Sequence, residues 1–122
     1  MEHFQSERPI YLQVMEKITR RILCGELGLG ARLLAVRELA VQFKINPNTV
    51  QRAYVELERS GVIETRRGMG SFVTRKKEVI ETLRQETLYS DLNSFVQAMQ
   101  ALGCTLSEVQ ANLRACWEGQ EG

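Results

Sequence analysis

The sequence predicts a mainly α-helical fold that carries one small β-hairpin. Three features predict it. Apolar side chains recur at helical spacing in five separate stretches. Residues 62–66 and 71–74 read instead as short extended runs on either side of a glycine-containing turn. Short segments rich in Gly, Pro and Asn punctuate the stretches. A chain of 122 residues has room for one domain with a real core and a short appendage.

Residues 10–24 open the pattern, with Leu12, Met15, Ile18 and Ile22 on one stripe and Val14 on its flank. Pro9 suits a first helical turn and Gly25 a C-terminal stop. Gly25, Gly28 and Gly30 make residues 25–34 a loop, with room for a very short strand at Arg32–Leu34. Residues 36–43 form a short helix whose inward face is Val36, Leu39, Ala40 and Phe43. Lys44–Ile45–Asn46 is then a tight turn. Asn46 is a good N-cap, and Pro47 fits the first position of the next helix. That helix, residues 47–60, turns Val50, Ala53, Tyr54 and Leu57 inward and stops at Gly61. Val62 falls where a Schellman motif places its contact with Leu57. Arg67–Gly68–Met69–Gly70 closes the hairpin. Helix, helix, turn, helix, hairpin is the order of a helix-turn-helix followed by a β wing, expected to form one domain over residues 1–75.

The chain changes character after Arg75–Lys76–Lys77. A long helical pattern runs from Glu78 to Leu102 through Val79, Ile80, Leu83, Leu88, Leu92, Phe95, Val96, Met99 and Leu102, and Gly103 breaks it. Thr105–Leu106–Ser107–Glu108 is a capping-box pattern, and the helix after it aligns Leu106, Val109, Leu113 and Trp117. Two helices of this kind, in residues 76–122, must pack on the first domain, on each other or on a second copy.

Charge and composition narrow the function. Residues 1–77 hold 14 Lys/Arg against 8 Asp/Glu, a balance of +6, and residues 78–122 hold 2 against 7, a balance of −5. A basic part that meets a polyanion and an acidic part that does not would explain the split. No apolar run is long enough to cross a membrane, and residues 1–9 have no apolar segment of a secretory signal, so the expected location is the cytoplasm. Cys24, Cys104 and Cys116 are odd in number and lack C-x-x-C spacing, which argues against a disulfide framework or zinc knuckle. The only histidine, His3, sits near a chain end expected to fray. With no nucleophile–base pair, carboxylate dyad or ligand cluster, an enzyme, a metal site and a cofactor are not expected.

The outward side of the helix at 47–60 points to a ligand. With Val50 at the centre of the buried face, Asn48 and Arg52 point away from it and Thr49 and Gln51 lie on the flanks, at about 100° per residue. Asn, Thr, Gln and Arg are the side chains that hydrogen-bond base edges and phosphates. A solvated polar face is the plain alternative; what favours DNA is position, after a short helix and a tight turn. At the hairpin tip, Arg66 and Arg67 lead into Gly68, where backbone can approach a sugar-phosphate rail and arginine can enter a narrow minor groove.

The string VRELAVQFKINPNTVQRAYVELERSGVIETRRGMGSFV resembles the DNA-binding domain of GntR-type regulators, and NPNTVQRAY resembles in particular the short YtrA-type subgroup. The resemblance covers about residues 9–75. It implies a winged helix-turn-helix that binds palindromic operators as a homodimer and usually represses. It also implies DNA contacts from Arg37, Asn46, Asn48, Thr49, Gln51 or Arg52, and Gly68. The chain departs from the family where Pro-Ser commonly precedes the VREL segment and Leu34–Ala35 stands here. A serine would cap the helix with Glu38 completing the box; Ala35 cannot, at a cost of about 1 kcal/mol.

Only about 45 residues follow the wing, too few for the large effector-binding or aminotransferase-like domains of many relatives. In the short subgroup this part resembles a helical dimerisation arm. Its apolar stripe would expose a large patch if left bare, so Ile80, Leu83, Leu88, Leu92, Phe95, Val96, Met99, Leu102 and Trp117 are expected at a two-fold seam. The expected partners are a double-stranded DNA operator, a second copy of the chain and a small-molecule effector of unidentified chemistry, with no membrane. Two rivals stand beside this reading: a winged-helix module that binds only protein, and a DNA-binding redox or metal sensor using Cys104 and Cys116.

Overall fold

In the computed structural model, which describes residues 4–121, the elements follow in the order α1 (Ile10–Leu23), α2 (Val36–Phe43), α3 (Pro47–Arg59), β1 (Ile63–Arg66), β2 (Gly70–Val73), α4 (Lys77–Ala101) and α5 (Leu106–Glu121). His3 lies outside the described residues. The chain forms two compact units, residues 1–84 and 85–122. The first of them, the head, is a winged helix-turn-helix: α1, α2 and β1 each pack on α3 around one core.

The buried face of α1 is centred on Val14, Ile18 and Ile22, with Tyr11 and Met15 beside them against the core. Tyr11, Val14, Met15, Ile18 and Ile22 keep i, i+3, i+4, i+7, i+11 spacing, so Tyr11 and not Leu12 belongs on the stripe that meets α3. Buried Gln13 donates to the carbonyls of Gln5 (2.7 Å) and Arg8 (3.0 Å) and accepts from the Gln5 N–H (2.7 Å). It thereby holds the segment before α1 against the helix, and all its amide groups find partners at a place where an unpaired one would be costly.

The turn between α2 and α3 is made without glycine. Lys44 takes the left-handed conformation at φ 58°, the Lys44 N–H donates to the Val41 carbonyl (3.2 Å) and the Ile45 N–H to the Ala40 carbonyl (3.0 Å). This is the Schellman arrangement that ends a helix sharply. Asn46 then caps α3 through its side chain, accepting from the Asn48 N–H at 2.8 Å, with Pro47 at the first position. At its far end α3 stops as the sequence leads one to expect: Gly61 lies at φ 85°, its N–H donates to the Glu58 carbonyl (3.0 Å), and the Val62 N–H donates to the Leu57 carbonyl (3.0 Å).

Strands β1 and β2 pair antiparallel from Ile63↔Val73 to Arg66↔Gly70. The loop before α2 runs beside β2: Arg32 bridges Phe72, the Leu33 N–H donates to the Ser71 carbonyl (2.8 Å) and the Val73 N–H to the Ala31 carbonyl (2.8 Å). The short strand expected at Arg32–Leu34 is thus a single bridge centred on Arg32, and it anchors the wing to the head.

Helix α4 carries two apolar stripes, not one. Val79, Ile80 and Leu83 are half-buried against the head core. At about 100° per residue they share one side of the helix, whereas Leu88, Leu92, Phe95, Val96, Met99 and Leu102 cluster about 150° round from them. Ile80 and Leu83, expected at a dimer seam, are therefore engaged by their own head. This also puts the division between units at Arg84/Gln85, later than the change of composition after Lys77. In the second unit Gly103, at φ 79°, ends the helical run, and the Cys104 N–H donates to the Met99 carbonyl (3.1 Å). The expected capping box of α5 forms in both directions: the Glu108 N–H donates to Thr105 Oγ1 (3.2 Å) and the Thr105 N–H to Glu108 Oε1 (3.4 Å).

Candidate nucleic-acid interface

Helix α3 divides its side chains by depth. Val50, Ala53, Tyr54 and Leu57 are buried, while Asn46, Asn48, Gln51 and Arg52 are exposed and Thr49 is half-buried. Tyr54 fixes the helix in azimuth, because its hydroxyl donates to the Leu34 carbonyl just before α2 at 2.6 Å. Burial pushes the Tyr54 phenol up to about 12, with the nearby Arg21 cation pulling it down and the Glu38 carboxylate raising it. The phenol therefore stays a neutral donor. The Asn46 cap spends its side-chain oxygen on the Asn48 N–H, so Asn46 shapes the start of α3 as well as lining its outward side.

The arginines differ in how they are held. Arg37, in the first turn of α2, and Arg67, at the wing turn, are exposed and make no ion pair, hydrogen bond or ring contact among the described residues. Arg66 is half-buried with its guanidinium 4.6 Å from the centre of the Phe72 ring, so part of its side chain packs the wing. Arg52 is exposed, yet its guanidinium carbon lies 3.8 Å from the centre of the Tyr11 ring of α1. Sequence spacing placed Arg52 on the outward side; it did not show that the long side chain leans onto α1.

The wing tip is a four-residue turn in which the Met69 N–H donates to the Arg66 carbonyl at 2.9 Å. Gly68 takes φ 77° at its third position, which suits a type II turn and strains any other residue. Beyond Gly68 and its two chain neighbours, no atom of the described residues lies within 4 Å of where a Gly68 Cβ would sit, so the backbone there is open to a close approach.

Two basic residues escaped the sequence reading. Arg32 lies across Gly70, its Nε 3.2 Å from where a Cβ would stand, and Arg75 lies across Gly30 in the same way at 3.0 Å. Each arginine packs on the glycine of the other segment, which brings two more cations to the root of the wing. Only the alternation of Arg and Gly at 30, 32, 70 and 75 hints at this in the sequence, and the pairing depends on the tertiary fold.

A three-helix head with a capped, polar-faced second helix of the helix-turn-helix and an arginine-bearing wing defines a winged helix-turn-helix DNA-binding domain. The comparisons with known proteins agree. Residues 10–73 match the model of the bacterial regulatory proteins, gntR family. The chain is 44% identical over 116 residues to the HTH-type transcriptional regulator YhcF of Bacillus subtilis, covering 95% of this chain and 96% of that one. It is 46% identical over 70 residues to the repressor YtrA of the same organism, covering 57% of this chain and 54% of that one. A GntR family regulator from Listeria monocytogenes superposes with a TM-score of 0.84 at 37% identity, over 92% of this chain and 98% of that one. The DNA-binding domain of AraR in complex with operator ORR3 superposes at 0.54 and 28% identity, over 61% of this chain and 87% of that one. The chain belongs to the GntR family of transcriptional regulators, with close relatives of the YhcF and YtrA type.

The second unit carries the rest of the expected seam. Leu88, Leu92, Phe95, Val96, Leu102 and Trp117 are exposed and Met99 is half-buried. Cys104 is half-buried and Cys116 exposed. Burial and the Glu108 carboxylate push the Cys104 thiol up, which disfavours the reactive thiolate. Among the described residues no group of three or more His, Cys, Asp or Glu comes together to hold a metal, and no helix is long and apolar enough to cross a membrane.

Proposed function

We propose that this regulator is a cytoplasmic repressor that binds a palindromic operator as a homodimer. The observation that carries the reading is the outward face of α3, where Asn48, Thr49, Gln51 and Arg52 follow a tight turn and stand in one head with the Arg67–Gly68 wing tip. Each α3 enters a major groove, its side chains reading base edges, and each wing tip meets the adjacent minor groove or backbone. Arg37 and the basic root of the wing supply phosphate contacts, which position the head without reading sequence.

The second copy is argued from the arm. Leu92 is 52% and Trp117 67% exposed, within a run of large apolar side chains from Leu88 to Trp117. Monomeric proteins rarely leave patches of this kind bare, and two-fold pairing buries the same surface on both copies. A dimer so formed presents two heads to half-sites about one DNA turn apart, hence the palindrome. Occupying a promoter blocks transcription, and an effector that alters the spacing of the heads releases it. The repressor YtrA, similar over 70 residues, carries that activity in its name.

Selection from a pool of random duplexes at about 150 mM salt, where non-specific binding is weak, tests the reading. An inverted repeat bound at roughly nanomolar affinity is the expected product. Enrichment of no sequence, with binding that simply fades as salt rises, refutes it and moves the protein-only module to first place.

A further inference from the structure

Tyr11 belongs to none of the DNA-contact positions, yet its ring touches one of them. It sits on α1, half-buried against the head core, and the Arg52 guanidinium lies over its face at 3.8 Å. Arg52 makes no hydrogen bond or ion pair among the described residues, and Glu56, one turn along α3, is taken by Arg59 at 2.8 Å. The ring is thus the one group that holds Arg52 among the described residues. We infer that Tyr11 is a positioning residue for operator reading: it pre-orders the Arg52 guanidinium for a base edge. The inference rests on the proposal that Arg52 reads DNA.

The physical case has three parts. First, the attraction of a cation to a ring face uses none of the five N–H donors of a guanidinium, so Arg52 keeps its capacity for a guanine edge. Second, arginine is long and flexible, and a free side chain would surrender that freedom on binding. One already resting on a ring surrenders less, and the saving appears as affinity for the correct base. Third, the platform is itself fixed. Tyr11 shares the α1 stripe with Val14, Met15 and Ile18, so its ring cannot swing away with Arg52. An exposed stack of this kind adds little to folding, because Arg52 stays exposed to solvent while it rests on the ring. Its consequence falls on recognition.

The test is selection from a random-duplex pool with wild type and with Tyr11→Phe, Tyr11→Leu, Arg52→Ala and Tyr11→Leu/Arg52→Ala, followed by affinity measurement on the wild-type consensus and its single-base-pair variants. Thermal melts accompany each protein, and Tyr11→Leu keeps the apolar packing on the core. Phenylalanine preserves the stack, so Tyr11→Phe is expected within about two-fold of wild type. Tyr11→Leu is expected to lose about three- to thirty-fold in affinity. The loss should be confined to the base pair whose discrimination Arg52→Ala also abolishes, and the double variant should bind no worse than Arg52→Ala. Equal failure of Phe and Leu, or losses that multiply in the double variant, overturns the role of Tyr11 and leaves Arg52 as a DNA contact. No enrichment by wild type, or full discrimination by Arg52→Ala, overturns the base-reading role of Arg52 and the inference with it.

Discussion

Helix α2 is half-capped, and one atom would complete it. Its N-cap residue, Ala35, already has the extended conformation a cap requires, at φ −61° and ψ 152°. The Glu38 carboxylate already reaches back to accept the Ala35 N–H at 2.9 Å. What an alanine lacks is the oxygen that would accept from the third helical N–H. Ala35→Ser supplies it with no change of backbone, and a serine cap is worth about 1 kcal/mol relative to alanine. For a unit of roughly 80 residues that corresponds to a rise in melting temperature of about 4–8 °C. Circular dichroism melts at matched protein concentration measure it, with urea titrations showing a higher midpoint at unchanged slope. Adding Glu38→Ala to the serine variant should remove more than half of the gain if the two hydrogen bonds act as a box. A serine variant that melts at or below the parent, with unchanged helix content, refutes the assignment of Ala35 as an incomplete cap.

Three further outcomes follow from the same geometry. Tyr54→Phe leaves the Leu34 carbonyl without its partner and should cost about 1 kcal/mol near neutral pH by urea unfolding. Because the folded phenol is raised to about 12 from its ordinary value of 10, its stabilising contribution is complete below pH 10 and is lost as the pH rises through 12. The parent should therefore lose stability across that window faster than Tyr54→Phe, and parallel curves would count against a buried neutral phenol. Gly70→Ala meets both a φ of 114° and the Arg32 guanidinium, so it should cost about 1–3 kcal/mol in folding and weaken DNA binding through the wing; a fully stable variant would contradict the packing of Arg32 on that glycine. Phe95→Asp puts a charge into the exposed stripe of α4 and, within the proposed dimer, should shift the molecule to monomer by analytical ultracentrifugation without lowering the melting of the head; an unchanged dimer would move the interface elsewhere.

Local chemistry made most of the fold legible. The Asn46–Pro47 start of α3, the Gly61–Val62 stop and the Thr105/Glu108 box are all set by residues within a turn of one another, and each forms as the spacing implies. The stripe of α1 is legible at Val14, Met15, Ile18 and Ile22; only its first position differs, because Tyr11 and Leu12 are apolar neighbours and the position of α3 alone decides between them. The apolar run from Val79 to Leu102 looks continuous as letters, but the step of five residues from Leu83 to Leu88 carries it to another side of the helix. At the interface, residue type and spacing identified the polar face of α3. They did not reveal the partners of its arginines, because the contacts of Arg52 with Tyr11, of Arg66 with Phe72 and of Arg32 with Gly70 join segments that meet only in the folded head.

The two stripes of α4 share one uninterrupted helix, and that turns a residue count into a length and an angle. Each residue added between Leu83 and Leu88 would advance the second stripe by about 1.5 Å and turn it by about 100° relative to the first. Within the proposed dimer, the first stripe belongs to the head and the second to the partner copy, so the register of the connecting turn would set the phase of two heads on the DNA double helix. A one-residue insertion there would put the heads out of phase with a given inverted repeat, whereas seven residues, nearly two full turns, would almost restore it at a wider spacing. Within the proposed dimer, insertion or deletion in this helix would change the half-site spacing while the residues proposed to read the bases stay as they are.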